Sequence, residues 1–112
     1  MTRFFSLAVV IALAGCDAGT PSASGGRVDD ILALTADATA GQAAYTQLCE
    51  TCHQADGMGG GGAFPDLTLY IDEDGEHDFV EIMIEGPGTM PPFEGQDDQV
   101  LADITAYVYS TF

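Results

Sequence analysis

Apolar residues recur at helical spacing in three stretches after residue 38. The first begins at Thr39, whose hydroxyl and the Gln42 side chain form a Thr-x-x-Gln capping box, and continues to Leu48. The second covers Asp78 to Glu85. The third covers about Asp97 to Tyr109, with aspartates at the positive end of its dipole. Because no run of strands accompanies them, the sequence predicts an all-α fold of three to four short helices.

The N-terminus has a different pattern, a short positive start followed by one unbroken apolar run. Arg3 precedes the run from Phe4 to Leu13, which is too brief to span a bilayer as a mature helix. Residues 1–15 are therefore predicted to be a signal peptide. The string Leu13-Ala14-Gly15-Cys16 is similar to the lipobox of bacterial lipoproteins, in which Cys16 becomes the lipidated N-terminus. An ordinary secretory signal with a chance cysteine is the alternative.

The signal divides the chain into three parts. Residues 16–36 are predicted to hold the lipidated cysteine, a flexible Gly/Ser/Ala/Thr/Pro-rich tether over 17–26, and an arm from Val28 to Leu34 that lies along the domain. Residues 37–112 are predicted to be the folded domain, with no internal repeat. A lipid on Cys16 would place this domain on the periplasmic face of a bacterial membrane, and Asp17 favours the inner membrane.

The string Cys49-Glu50-Thr51-Cys52-His53 has the C-x-x-C-H spacing of c-type haem attachment. Two intervening residues separate the sulfurs by about the distance between the haem vinyl groups, and His53 is carried under the iron as the proximal ligand. A thioredoxin-type dithiol would need a βαβ context, and a structural zinc would need four ligands, while only His77 and Cys16 remain. Two haem thioethers and one lipid thioether account for all three cysteines. We therefore expect one covalent haem c, which would also complete a small apolar core.

Met90 is the best candidate for the sixth ligand of the iron. It lies in Gly88-Thr89-Met90-Pro91-Pro92-Phe93, a proline-stiffened loop that loses little entropy on ligation. Met58 is too close to His53 in the chain, and Met83 belongs to an apolar helical face. Two alternatives stay open, namely His77 as a second histidine ligand and an open sixth site.

Four motifs follow one another between Ala36 and Phe112. They are Gly41-x-x-x-Tyr45-x-x-x-Cys49-x-x-Cys52-His53, Phe64-Pro65-x-Leu67, Gly86-x-x-x-Met90-Pro91-x-Phe93, and a closing helix with Leu101, Ile104 and Tyr107. In this order they resemble the class I c-type cytochromes.

That resemblance has consequences for the site. It implies that Gly41 and Tyr45 lie where the first and last helices cross, with Tyr107 as the aromatic partner. It also implies that the Pro65 carbonyl accepts the Nδ1 proton of His53, and that Met90 is the distal ligand. The run Gly59 to Gly62 is richer in glycine than is usual in that family.

Ligation by histidine and methionine would fill both axial positions and favour ferrous haem. The expected function is therefore outer-sphere transfer of one electron in a respiratory or related chain, without catalysis. Redox proteins that donate and accept this electron are the expected partners. The alternative is a haem subunit with an open or displaceable sixth site that acts as a sensor or a peroxidase-like enzyme.

The charge of the chain is strongly negative. All 18 acidic residues follow Cys16 and leave Arg27 as the one lysine or arginine of the mature chain, a formal charge of −17. This excludes nucleic acid and anionic lipid as partners. The charge either steers the protein to basic docking faces or is an adaptation to salty surroundings. A transfer rate that did not change with ionic strength would exclude the first explanation.

Overall fold

The computed structural model describes residues 23–69, 71 and 75–112, and every regular element in these ranges is helical. The elements are α1 (Ala23–Leu32), α2 (Ala38–Leu48), α3 (Glu50–His53), α4 (Gly59–Gly62), a 3₁₀ turn (Leu67–Leu69), α5 (Gly75–Glu85) and α6 (Asp98–Thr111). The prediction of an all-α fold is confirmed. The predicted signal peptide, Cys16 and Asp17 lie outside the described residues.

Helices α2 and α6 cross in close contact at Gly41. A Cβ atom at this position would collide with the main-chain carbonyl of Asp103 in α6. Further along α2, the Tyr45 ring packs against Tyr107 and Phe112, with ring centroids 5.3 and 5.6 Å apart. This is the crossing that the resemblance implied. It holds the end of α2, from which the haem-attachment string continues, against the terminal helix.

The N-terminus of α2 differs from the prediction. Asp37, and not Thr39, is the N-cap residue, and its Oδ1 accepts hydrogen bonds from the backbone N–H groups of Thr39 and Ala40 at 2.8 and 3.2 Å. The Asp37 N–H in turn donates to Asp103 Oδ1 at 2.8 Å. The predicted capping box is therefore wrong. An aspartate at the cap satisfies two free N–H groups, and its contact with α6 fixes where the chain enters the helix.

Helix α1 packs against the domain, although a flexible tether was expected as far as Gly26. Val28 and Ile31 are fully buried, and α1 contacts both α5 and α6. These two residues lie three positions apart and so share one face of the helix. The arm predicted from Val28 does lie along the domain, but as part of a helix that begins at Ala23.

The two remaining predicted helices are slightly displaced in the structure. Helix α5 begins at Gly75, three residues before the predicted start, and α6 begins at Asp98 with Asp97 as its N-cap. No helix in the described part of the chain is long and apolar enough to cross a membrane. The largest fully buried side chains come from α1, α2, α5 and α6, and they are Tyr45, Ile31, Leu101, Ile104, Val28, Val80 and Val108.

Candidate haem site

The described residues enclose a mostly apolar cavity of about 530 Å³. This volume lies within the range of roughly 300–1,000 Å³ that cofactor sites commonly have. Its wall includes all four residues for which the sequence predicted contact with haem, namely Cys49, Cys52, His53 and Met90. The apolar part of the wall includes Leu48, Phe64, Leu67, Leu69, Phe79, Ile82, Met83 and Phe93. The size and donor set of the cavity fit one haem.

A break between α2 and α3 presents the attachment string to this cavity. Helix α2 ends at Leu48, and Cys49 adopts φ −117°, ψ −36° between the two helices. The Cys52 and His53 N–H groups both donate to the Cys49 carbonyl, at 3.2 and 2.9 Å. The two sulfurs and the imidazole are therefore held within one short helical turn.

The chemistry of Cys49 does not suit a redox-active dithiol. Burial, together with the neighbouring Cys52, raises the pKa of the Cys49 thiol to about 11. Thioredoxin-type chemistry depends on a thiol whose pKa is lowered so that the thiolate can attack a disulfide. The dithiol alternative therefore loses support from the structure, as well as from the absence of strands among the described residues.

His53 is oriented by a main-chain carbonyl. The side chain is buried, and its Nδ1 lies 2.9 Å from the Pro65 oxygen. Since a carbonyl only accepts, Nδ1 is the donor, and in the neutral imidazole this makes Nε2 the nitrogen with the free lone pair. His53 also lines the cavity, so Nε2 is the ring nitrogen available to a metal.

Glycines let the following loop bring Pro65 back to His53. Gly59 has a φ of +68°, and a Cβ there would collide with the Phe64 carbonyl and lie 2.9 Å from the Pro65 oxygen. The Gly57 carbonyl also accepts from the Leu67 N–H at 2.7 Å. The glycine run predicts a tight turn in this segment, but the close approach of Gly59 to Phe64 and Pro65 was not predicted.

Tyr45 supports the same loop from the other side. Its hydroxyl donates to the carbonyl of Gln54, the residue after His53, at 2.6 Å. Gln54 has a φ of +65°, a conformation in which a residue with a side chain is strained. Burial is the main cause that raises the pKa of the Tyr45 phenol well above its usual value of 10. Tyr45 therefore remains a protonated donor.

Another part of the cavity wall carries Met90, on a loop that starts at Gly86. Gly86 has a φ of +62°, and a Cβ there would collide with the Pro92 nitrogen and lie 2.6 Å from the Met90 oxygen. The Phe93 N–H donates to the Met83 carbonyl at 2.9 Å. These contacts tie the loop to the end of α5.

The other candidate ligands lie in different surroundings. Met58 is 51% exposed and is not part of the cavity wall. His77 is also absent from the wall, and its Nε2 lies 3.7 Å from an Asp29 carboxylate oxygen. Met83 belongs to the buried core, as expected, but it also lines the cavity.

An all-helical fold around one cavity that carries a C-x-x-C-H string defines a monohaem class I c-type cytochrome. The chain belongs to the family described as cytochrome c oxidase, cbb3-type, subunit III, whose model matches residues 36–108. Helix α1 lies outside the matched range. Membership implies a covalently bound c-type haem, and proteins of this kind are typically exported to the periplasmic side.

A curated relative supports the same family. Over 48 residues the chain is 44% identical to cytochrome c-555 of Methylococcus capsulatus (strain ATCC 33009 / NCIMB 11132 / Bath). The aligned segment covers 43% of this chain and 38% of the relative, so it spans well under half of either protein. No solved structure matches the chain.

Proposed function

We propose that this protein is a one-electron carrier of a respiratory or related chain, and that it is not an enzyme. Cys49 and Cys52 attach the haem, and His53 and Met90 are the axial ligands of its iron. The observation that carries the proposal is that these four side chains line one apolar cavity. When bound, the haem supplies an iron that gains and loses a single electron.

The residues around the proposed ligands hold and orient them. The Pro65 carbonyl accepts the Nδ1 proton of His53, which fixes the ring tautomer and raises the basicity of Nε2. Gly86 and the Phe93 N–H hold the Met90 loop against α5. The apolar wall excludes water from the iron and favours its less charged ferrous state.

Redox proteins are the proposed partners, and nucleic acid is not. The 18 carboxylates against Arg27 would suit a donor or acceptor with a basic docking face, and adaptation to salty surroundings is the alternative explanation. We also propose that residues 1–15 are a signal peptide and that a lipid on Cys16 anchors the protein to the periplasmic face of a membrane. The inner membrane is favoured by Asp17. A Cys16→Ala variant would then release the pigment into the soluble fraction.

The oxidised absorption spectrum tests the axial ligands. Ferric haem ligated by methionine has a weak band near the red end of the visible spectrum. We expect the wild-type protein to show this band and Met90→Leu to lose it. Met83→Leu is the stricter control, because Met83 also lines the cavity, and Met58→Leu is the exposed one. Both controls should keep the band.

Two results would contradict the proposal. A wild-type spectrum without the red band would exclude Met90 as the ligand. Ready binding of carbon monoxide to the ferrous protein would show an open or displaceable sixth position, and would favour the sensor or the peroxidase-like enzyme instead.

A further inference from the structure

Arg27 of α1 makes three hydrogen bonds to a distant segment of the chain. Its Nε donates to Asp98 Oδ1 at 2.8 Å, its Nη1 to the Glu94 carbonyl at 2.7 Å, and its Nη2 to the Gln96 carbonyl at 2.8 Å. All three acceptors lie in the segment 94–98, between 67 and 71 residues further along the chain. A planar guanidinium can bond three acceptors at once, which an ammonium group on a flexible stem does less well.

The backbone of Arg27 is itself held firmly. Val28, the next residue, and Ile31 are fully buried against the helices behind α1. The guanidinium is only partly screened by solvent, with 28% of the Arg27 side chain exposed against 44% for Asp98. The three bonds therefore join the segment 94–98 to a helix that is anchored by buried side chains.

The segment 94–98 continues directly from the Met90 loop. That loop is held at its start by Gly86, and at Phe93 by the hydrogen bond to Met83. Proline lacks an N–H group, so Pro91 and Pro92 give the loop no backbone donors beside Met90. The far end of the loop lies where Arg27 binds.

We propose that Arg27 is a positioning residue for Met90. By holding the segment 94–98, it keeps the Met90 loop closed against the cavity and slows the release of the Met90 thioether from the iron. This inference rests on the proposed ligation by His53 and Met90. It assigns a role in ligand retention to α1, which lies outside the matched family range of 36–108.

Displacement of Met90 by imidazole tests this role on the oxidised holoprotein. Imidazole binds ferric iron once the thioether leaves, and loss of the red band reports the exchange. At saturating imidazole the rate reports loop opening. In Arg27→Gln we expect this rate to rise roughly tenfold, since the variant loses charge-assisted hydrogen bonds that are partly exposed. Arg27→Lys keeps the charge but lacks the forked guanidinium, so its exchange rate should lie between those of wild type and Arg27→Gln.

Ile104→Val is the matched control for a general loss of stability. Ile104 is buried in α6, does not line the cavity and takes no part in the three hydrogen bonds of Arg27. Loss of one methyl group weakens the core, but the exchange rate should stay within about twofold of wild type. Asp98→Asn removes the charge of one acceptor and keeps both carbonyl acceptors. It should therefore raise the exchange rate less than Arg27→Gln does.

The outcomes separate the two proposals. If the wild-type protein has the red band and Arg27→Gln exchanges at the rate of wild type or of Ile104→Val, the positioning role is refuted and the axial ligands stand. If Arg27→Gln does not fold, the exchange rates of Arg27→Lys and Asp98→Asn are compared with those of wild type and Ile104→Val, and equal rates again refute the positioning role. A wild-type protein without the band would refute the proposed ligation, and this inference with it.

Discussion

The proximal wall, formed by residues 49–53, and the distal wall, formed by the Met90 loop, are held by different kinds of contact. On the proximal wall, Cys49, Cys52 and His53 lie within five consecutive residues, and their backbone bonds join near neighbours. On the distal wall, the Met90 loop depends on contacts with α5 and, through the segment 94–98, on Arg27 in α1. The difference indicates that residues 49–53 are positioned largely by local chain geometry, with the Pro65 carbonyl as a more distant contact, whereas the position of the Met90 loop depends on how distant helices pack.

We predict that loss of both attachment cysteines abolishes haem attachment outright, while changes in the Met90 loop have graded effects. Thioether bonds to Cys49 and Cys52 would be covalent, so the haem would not dissociate from them. A thioether held by a loop, in contrast, can dissociate and return, so its occupancy varies with the free energy of loop closure.

The cysteine pair should give the strongest effect. In a Cys49→Ser/Cys52→Ser variant we expect no covalent haem and a largely unfolded chain, because a domain of this size has little core without the haem. Haem staining of a denaturing gel and far-UV circular dichroism measure both effects. Cys16→Ser is the control, and it should keep the pigment. A double variant that remained pigmented after acid-acetone extraction would overturn the attachment site.

Gly59 tests the loop that carries Pro65. Alanine at a positive φ costs about 1–2 kcal/mol in strain alone, and at Gly59 a collision with the Phe64 carbonyl is added. We expect Gly59→Ala to lower the free energy of unfolding by about 3 kcal/mol, measured by denaturant titration of the holoprotein.

Gly61 is a matched control for this variant. It has a similar φ of +74°, but no atom lies within 4 Å of its hypothetical Cβ. Gly61→Ala should therefore cost only the strain, about 1 kcal/mol. Equal losses at the two positions would show that close packing of the loop on Pro65 does not matter.

Gly86 and Gly88 form the corresponding pair on the distal wall. Their φ values are +62° and +64°, but only Gly86 packs against the Met90 oxygen. We expect Gly86→Ala to keep the covalent haem and to weaken or lose the red band, with a loss of stability near 2 kcal/mol. Gly88→Ala should keep the band. Loss of pigment in Gly86→Ala would contradict the separation of the two walls.

The smallest predicted effect is the change in the free energy of unfolding when Tyr45 ionises at alkaline pH. Burial raises the pKa of its phenol, so above pH 10 the unfolded chain releases this proton before the folded one. The stability that the raised pKa of Tyr45 contributes below pH 10 is therefore lost as the pH rises, by at most about 1.4 kcal/mol per pH unit.

Tyr45→Phe separates the hydrogen bond from the titration. At neutral pH the variant should be about 1 kcal/mol less stable, because the Gln54 carbonyl loses its donor. Above pH 10 the gap between variant and wild type should narrow, as shown by unfolding titrations at several pH values. A constant gap would exclude Tyr45 as the titrating group.

Local signals in the chain predicted three of the helices and four of the residues that line the cavity. The spacing of Cys49, Cys52 and His53 has one main chemical use, and the stripes of α2, α5 and α6 follow the helical period. The boundaries were less accurate. Asp37 replaces Thr39 as the N-cap because Asp103, 66 residues away, binds its backbone.

Helix α1, the return of Pro65 to His53 and the bonds of Arg27 could not be read from neighbouring residues. Glycine and serine at the start of α1 favour a flexible chain, and they are outweighed by the burial of Val28 and Ile31 against helices that form much later in the sequence. The Pro65 carbonyl reaches His53 only because Gly59 permits a close approach of two backbones. Local propensity acts over a few residues, whereas burial and hydrogen bonding join segments that only the folded chain brings together.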